Sequence, residues 1–134
     1  MLRISLKDQE KIIINGAIIR SAGKSTLMVE NRCTILRGKD IMEPEEANTP
    51  TKRLYFACMM AYLDPENREQ HQDSILDLYQ PLMGIFQSGE PQVNLIEIGK
   101  ALAISDFYKA LTECRQLIDY EAEAMNRAAP ADAD

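Results

Sequence analysis

What this sequence has little of narrows its chemistry first. Its 134 residues contain one histidine, His71, and three cysteines, Cys33, Cys58 and Cys114. The cysteines are odd in number, far apart and without a Cys-x-x-Cys pair, so no disulfide framework and no zinc or iron–sulfur motif is written into the chain. A single imidazole leaves few histidine-based acid–base schemes open. No apolar run approaches the roughly 18 residues that a membrane helix needs. Met1 to Leu6 has no continuous apolar core and does not read as a secretory signal. Residues 1–40 contain no Phe, Tyr or Trp, which removes the aromatic platforms on which single-stranded bases commonly stack. The expectation is a cytoplasmic protein without metal, cofactor or membrane partner.

What is present amounts to one ordinary domain, or one domain with a small appendage. A chain that is 46% hydrophobic and 27% charged has the composition of a folded protein. The net charge of -6 conceals a polarity. Residues 1–40 carry eight Lys or Arg against four Asp or Glu, whereas residues 41–134 carry seven against seventeen. A basic front and an acidic back suit opposite kinds of partner.

The front reads as strands. Leu2, Ile4 and Leu6 alternate with Arg3, Ser5 and Lys7, a period of two with one apolar and one basic face. Asp8-Gln9 turns the chain, Lys11 to Asn15 is a β-branched run, and Asn15-Gly16 is a strong hairpin signal leading into Ala17 to Arg20. Ser25 to Glu30 and Cys33 to Arg37 complete five short strands, predicted to form a small meander or partial barrel. The back reads as helices. Pro44 to Ala47 suits one acidic helical turn, and Thr49-Pro50 starts a helix over residues 50–63. Asp64-Pro65 opens a second helix, which Pro81 should kink or split and Ser88-Gly89 should stop. Pro91 opens a last segment that Ser105-Asp106 divides. The predicted fold class is α+β: a small N-terminal antiparallel β unit (1–42) packed with or followed by an acidic C-terminal helical bundle (43–127), with a flexible tail at 128–134.

Few constellations suggest catalysis. Gly23-Lys24-Ser25 resembles the end of a phosphate-binding loop, but that loop needs glycine where Ile18 stands. His71 lies in a hydrophilic run with Glu69 and Asp73 as neighbours, and an exposed helix face accounts for it. Cys58 and Cys114 fall on apolar helix faces as small buried hydrophobes. Asp119, Glu121 and Glu123 read as a solvated face. More promising are Arg3, Lys7, Arg20, Lys24, Arg32, Arg37 and Lys39. They lie along one strand face and at strand ends and turns, where positive side chains can contact a nucleic-acid backbone. An ordinary polar sheet face or a protein-binding sheet edge would use the same residues. In the helical part, Met59, Met60, Met83, Phe86, Phe107 and Tyr108 offer adaptable apolar area for protein binding, or simply core.

Leu2-Arg3-Ile4-Ser5-Leu6-Lys7, followed by Glu10-Lys11-Ile12-Ile13-Ile14-Asn15-Gly16-Ala17, resembles the opening of the FlbT family of flagellar regulators. Ile41-Met42, Thr49-Pro50, Leu54-Tyr55-Phe56 and Phe107-Tyr108-Lys109-Ala110-Leu111 extend the resemblance over roughly residues 2–125. It implies a non-enzymatic post-transcriptional regulator that associates with the 5′ untranslated region of a flagellin messenger RNA and promotes its decay by a host nuclease. It implies flagellin mRNA as partner, with flagellin or the flagellar regulator FlaF as protein partners. The alternative it leaves open is a flagellin-binding adaptor or chaperone that affects the message indirectly. The opening also resembles, more faintly, the carbon-storage regulators, in which a small β unit forms an intertwined dimer. That resemblance implies a homodimer here, although Gln9 stands where that family places glycine.

Overall fold

Period-two burial shapes the first strand. β1 (Leu2–Leu6) buries Ile4 and Leu6 and turns Arg3 and Ser5 to solvent. The structure is a computed structural model that describes residues 1–128. The chain divides into two compact units, Met1–Met42 and the part from Glu43 onward.

In the first unit, β2 (Lys11–Ile14) and β3 (Ala17–Arg20) form a hairpin closed by Asn15 and Gly16. Both turn residues have positive φ, 49° and 84°, the backbone that a two-residue turn with matching twist requires. β4 (Ser25–Val29) pairs antiparallel with β1, Leu2 opposite Val29 and Leu6 opposite Ser25. β5 (Ile35–Arg37) pairs antiparallel with the free edge of β2. The result is two antiparallel sheets, β1–β4 and β3–β2–β5, rather than the expected meander or partial barrel. Both edges of β2 are occupied, so β1 cannot join it edge to edge. Instead Ile4, Leu6 and Ile12 form one buried cluster, with Ile14, Leu27, Val29 and Ile35 packed against it. The apolar faces of the two sheets meet.

Asn15 does more than turn the hairpin. Its N–H donates to Thr34 O at 2.8 Å and its Oδ1 accepts the Thr34 N–H at 2.9 Å, which fixes the approach of β5. Asn15→Ala loses that acceptor and places alanine in a left-handed conformation. We expect a loss of about 1–2 kcal/mol in denaturant unfolding.

The second unit is helical. A short 3-10 turn at Pro44–Glu46 carries a reciprocal Glu43/Glu46 capping box. α1 (Pro50–Leu63) starts at Thr49, whose Oγ1 accepts the Lys52 N–H at 3.2 Å. α2 (Arg68–Ile85) follows a 3-10 turn at Pro65–Asn67. It runs through Pro81 as one helix, so of the expected kink or split the split does not occur. Pro81 and Asp77 are both exposed, so the carbonyl four residues back that loses its donor is on the solvent side, while Ile75 and Leu82 anchor the buried face. Ser88-Gly89 does not stop α2, which ends at Ile85; these residues begin α3 (Gly89–Ala103), two residues before Pro91. Ser105, with φ 58°, breaks the next run, and Asp106 Oδ1 accepts the Lys109 N–H at 3.1 Å to start α4 (Phe107–Ala128). The tail expected beyond Ala128 lies outside the described residues.

The core of this unit runs through Leu54, Cys58, Ile75, Leu82, Ile98, Leu111, Cys114 and Leu117, all almost fully buried. α4 packs on α1 and α3, and α1 packs on α2, whereas α2 and α3 touch only sparsely. Glu121 corrects the sequence reading of a solvated acidic face. It is 7% exposed and continues the buried stripe of Leu111, Cys114 and Leu117. Its Oε2 accepts the Thr51 N–H at 3.0 Å and its Oε1 accepts the Thr49 hydroxyl. A helix N-terminus carries unsatisfied amides and partial positive charge, and α4 supplies the carboxylate that answers them. No described helix is long and apolar enough to cross a membrane.

Candidate nucleic-acid interface

The first unit holds a cleft of about 770 Å³ lined by Ser5, Leu6, Lys7, Glu10, Lys24, Arg37, Gly38, Lys39 and Asp40. Four of the seven basic candidates converge there: Lys7 just beyond β1, Lys24 just before β4, Arg37 at the end of β5 and Lys39 in the following 3-10 turn. Strand pairing explains the convergence. Leu6 is opposite Ser25 in the β1–β4 ladder, so Lys7 and Lys24 flank one end of that sheet.

Glu10 and Arg37 brace the cleft. Glu10 Oε1 accepts the Lys7 N–H at 2.9 Å, and Arg37 Nη2 donates to Glu10 Oε2 at 3.2 Å and to Ser5 O at 2.8 Å. The Lys7 amide, against the opposing effect of desolvation and then with help from Arg37, holds the Glu10 carboxyl below its ordinary value. Glu10 is therefore anionic at neutral pH. Lys7, Lys24 and Lys39 are exposed and form no ion pair among the described residues. Their ammonium groups are available to an anion, while Arg37 is committed to the brace. Gly38, with φ 54°, lets the chain turn directly from β5 into the Lys39 turn.

The other three candidates lie apart. Arg3 sits mid-strand opposite Met28, Arg20 is opposite Lys11 on β3, and Arg32 lines a separate hollow with Met1, Leu2 and Val29. Sequence reasoning did not place Glu10 and Asp40 beside the lysines, although the three-residue spacing of Lys7 and Glu10 across a turn hints at the first.

Gly23-Lys24-Ser25 is a turn and not a phosphate loop: the Gly23 N–H donates to Asp8 Oδ1 at 2.8 Å, and Ser21 and Ser25 share a hydroxyl hydrogen bond at 2.7 Å. His71 pairs with neither Glu69 nor Asp73. Its Nε2 is 3.1 Å from Asp64 Oδ2. The Asn67 side chain first, and then His71, hold the Asp64 carboxyl low. Cys58 and Cys114 are fully buried free thiols, and the hydrogen bond with Cys58, then burial, pushes the Cys114 thiol up, away from nucleophilic use. No group of three or more metal-ligating side chains forms among the described residues.

Of the apolar candidates in the helical unit, Met59, Phe86 and Phe107 are buried, Met60 is half-buried, and Met83 and Tyr108 are about half exposed. Phe107 lies under the Arg68 guanidinium, 5.2 Å from the ring centroid, and Tyr108 packs at a tilt on Tyr62.

The chain is thus a small α+β protein whose first unit holds an open cleft lined by Lys7, Lys24, Arg37 and Lys39 with Glu10 and Asp40. Over residues 2–125 the chain matches the family described as flagellar protein FlbT. It is 36% identical to the probable flagellum biosynthesis repressor protein FlbT of Caulobacter sp. (strain K31), over 92% of this chain and 95% of that one. It is 34% identical to the flagellum biosynthesis repressor protein FlbT of Caulobacter vibrioides (strain ATCC 19089 / CIP 103742 / CB 15), covering 92% and 89%, and 35% identical to a probable counterpart of Agrobacterium fabrum, covering 93% and 84%. No solved structure matches the chain. The chain belongs to the FlbT family. Its relatives are named for repression and not for a catalysed reaction.

Proposed function

We propose that this protein regulates flagellin synthesis after transcription, by associating with the 5′ untranslated region of flagellin mRNA and promoting its decay. The observation that carries the reading is the convergence of Lys7, Lys24 and Lys39, all exposed, with Arg37 on one cleft, where basic side chains outnumber the carboxylates of Glu10 and Asp40. Family membership and the relatives' designation as flagellum biosynthesis repressors support the regulatory part. The first unit is basic and the remainder strongly acidic, so RNA is attracted to one part and repelled by the other. Without aromatics in the cleft, recognition rests on phosphates and RNA shape, not on stacked bases. In this reading the strand is cut by a separate host nuclease.

A titration of nucleic-acid-free protein with the flagellin leader RNA and a scrambled control, at two salt concentrations, tests this. Leader-preferring, salt-sensitive binding is expected. A flagellin complex formed without RNA affinity would replace it with the adaptor reading.

A further inference from the structure

The helical unit carries a second surface, opposite in sign to the first. α2 is tied to α3 and to the turn that follows it: the Tyr79 hydroxyl donates to Leu95 O of α3 at 2.7 Å, and Gln72 Nε2 donates to Ser105 Oγ, just beyond α3, at 3.2 Å. Between these ties lies a groove of about 390 Å³, lined by Ile75, Leu76, Tyr79, Leu102, Ala103 and Phe107 with Gln72, Asp73 and Gly99. Gly99 shapes it: a Cβ there would fall 2.5 Å from the Tyr79 Oη, so only glycine lets the Tyr79 ring lie across α3.

Two features say what the groove accepts. The first is apolar exposure in the groove, at Leu76, and elsewhere on the same two helices, at Met83 and Ile96. Leu76 is 49% exposed and Met83, two turns further on α2, is 51% exposed. On α3, Ile96 is likewise half exposed, three residues before Gly99 and seven before Ala103, on the same helical stripe. The second is charge. Glu69, Asp73 and Asp77 follow one another at four-residue spacing along α2, all exposed, with Asp73 on the groove itself. Carboxylates at that spacing repel one another. No ion pair answers them among the described residues: Arg68 is laid over Phe107, and Lys100 of α3 is paired with Glu97 at 3.2 Å.

We propose that this groove docks an amphipathic helix of a partner protein whose apolar stripe is flanked by lysine or arginine. The apolar side chains enter between Leu76 and Ala103, and the basic flank lies along Glu69, Asp73 and Asp77. Helix-in-groove recognition uses anchors at three- and four-residue spacing, and a complementary charge row sets orientation and excludes acidic helices. The proposal is independent of the RNA reading, which concerns the other unit and the opposite charge.

The test uses the full chain and two labelled synthetic peptides of about five helical turns. Both carry leucine on one stripe; one is flanked by lysine, the other by glutamate at the same positions. The lysine peptide is expected to bind at least about tenfold more tightly, and Leu76→Glu to weaken it by a similar factor. The double variant D73K/D77K is expected to reverse the preference between the peptides. All three substituted positions are exposed, and unchanged thermal unfolding will show that the fold is kept. Equal affinity for both peptides, or a preference unmoved by the charge reversal or by Leu76→Glu, would overturn the proposal.

Discussion

Replacing Lys7, Lys24 and Lys39 together by glutamine is expected to weaken flagellin leader RNA binding by about a hundredfold at roughly 0.1 M salt. Each phosphate neutralised on a single strand releases about 0.7 of a counterion, worth about fivefold in affinity at that salt, and three such contacts multiply to about a hundredfold. The slope of log affinity against log salt should flatten by about 2. Leader and scrambled RNA should lose alike, because phosphate contacts position the strand without reading its sequence. The fold should be untouched, since the three side chains are exposed and unpaired among the described residues. Arg3, Arg20 and Arg32, outside the cleft, provide the matched control: their triple glutamine variant should lose far less. Arg37 belongs to neither set, because its guanidinium joins Ser5 to Glu10. Its loss acts on the shape of the cleft as well as its charge.

Glu121→Ala is expected to destabilise the helical unit by about 3 kcal/mol, the typical worth of buried hydrogen bonds to a charged acceptor. The change strips the Thr51 N–H and the Thr49 hydroxyl of a common acceptor at the start of α1. Glu121→Gln keeps one acceptor but turns an NH2 toward the second donor, so it should fall between wild type and alanine. Glu123→Ala, two residues on and exposed, should change stability by less than about 0.5 kcal/mol. Denaturant unfolding followed by circular dichroism at 222 nm reads the helical unit directly. Equal effects at 121 and 123 would show that the cap across α4 and α1 does not hold the unit together.

Local chemistry was the legible part of this fold. Asn15-Gly16, Thr49-Pro50 and Ser105-Asp106 each act where they stand, because turn and cap preferences depend on the backbone of a few neighbouring residues. Pairing was less legible. Alternation marked β1 as a half-buried strand, but nothing in it showed that β1 pairs with β4 while β2 takes β3 and β5. Sheet order depends on contacts distant in sequence. Glu121 was misread for a similar reason: an acid at the end of an apolar stripe resembles a solvated face until the amides of another helix are placed before it. Pro81 does not split α2, because the cost of a proline depends on which side of the helix loses its hydrogen bond. The cleft was half legible. Charge polarity picked out the basic unit, yet only the fold separates Lys7, Lys24 and Lys39 from Arg3, Arg20 and Arg32, and only the fold turns Arg37 into a brace.

The central claim is that the lysine cleft of the β unit holds the RNA. Nuclear magnetic resonance titration of the full, isotope-labelled chain with the flagellin leader RNA tests it most directly. The account predicts shifts concentrated at residues 5–10, 24 and 37–40, with the helical unit still. Shifts confined to the helices, or none at RNA concentrations that saturate binding in other assays, would contradict it.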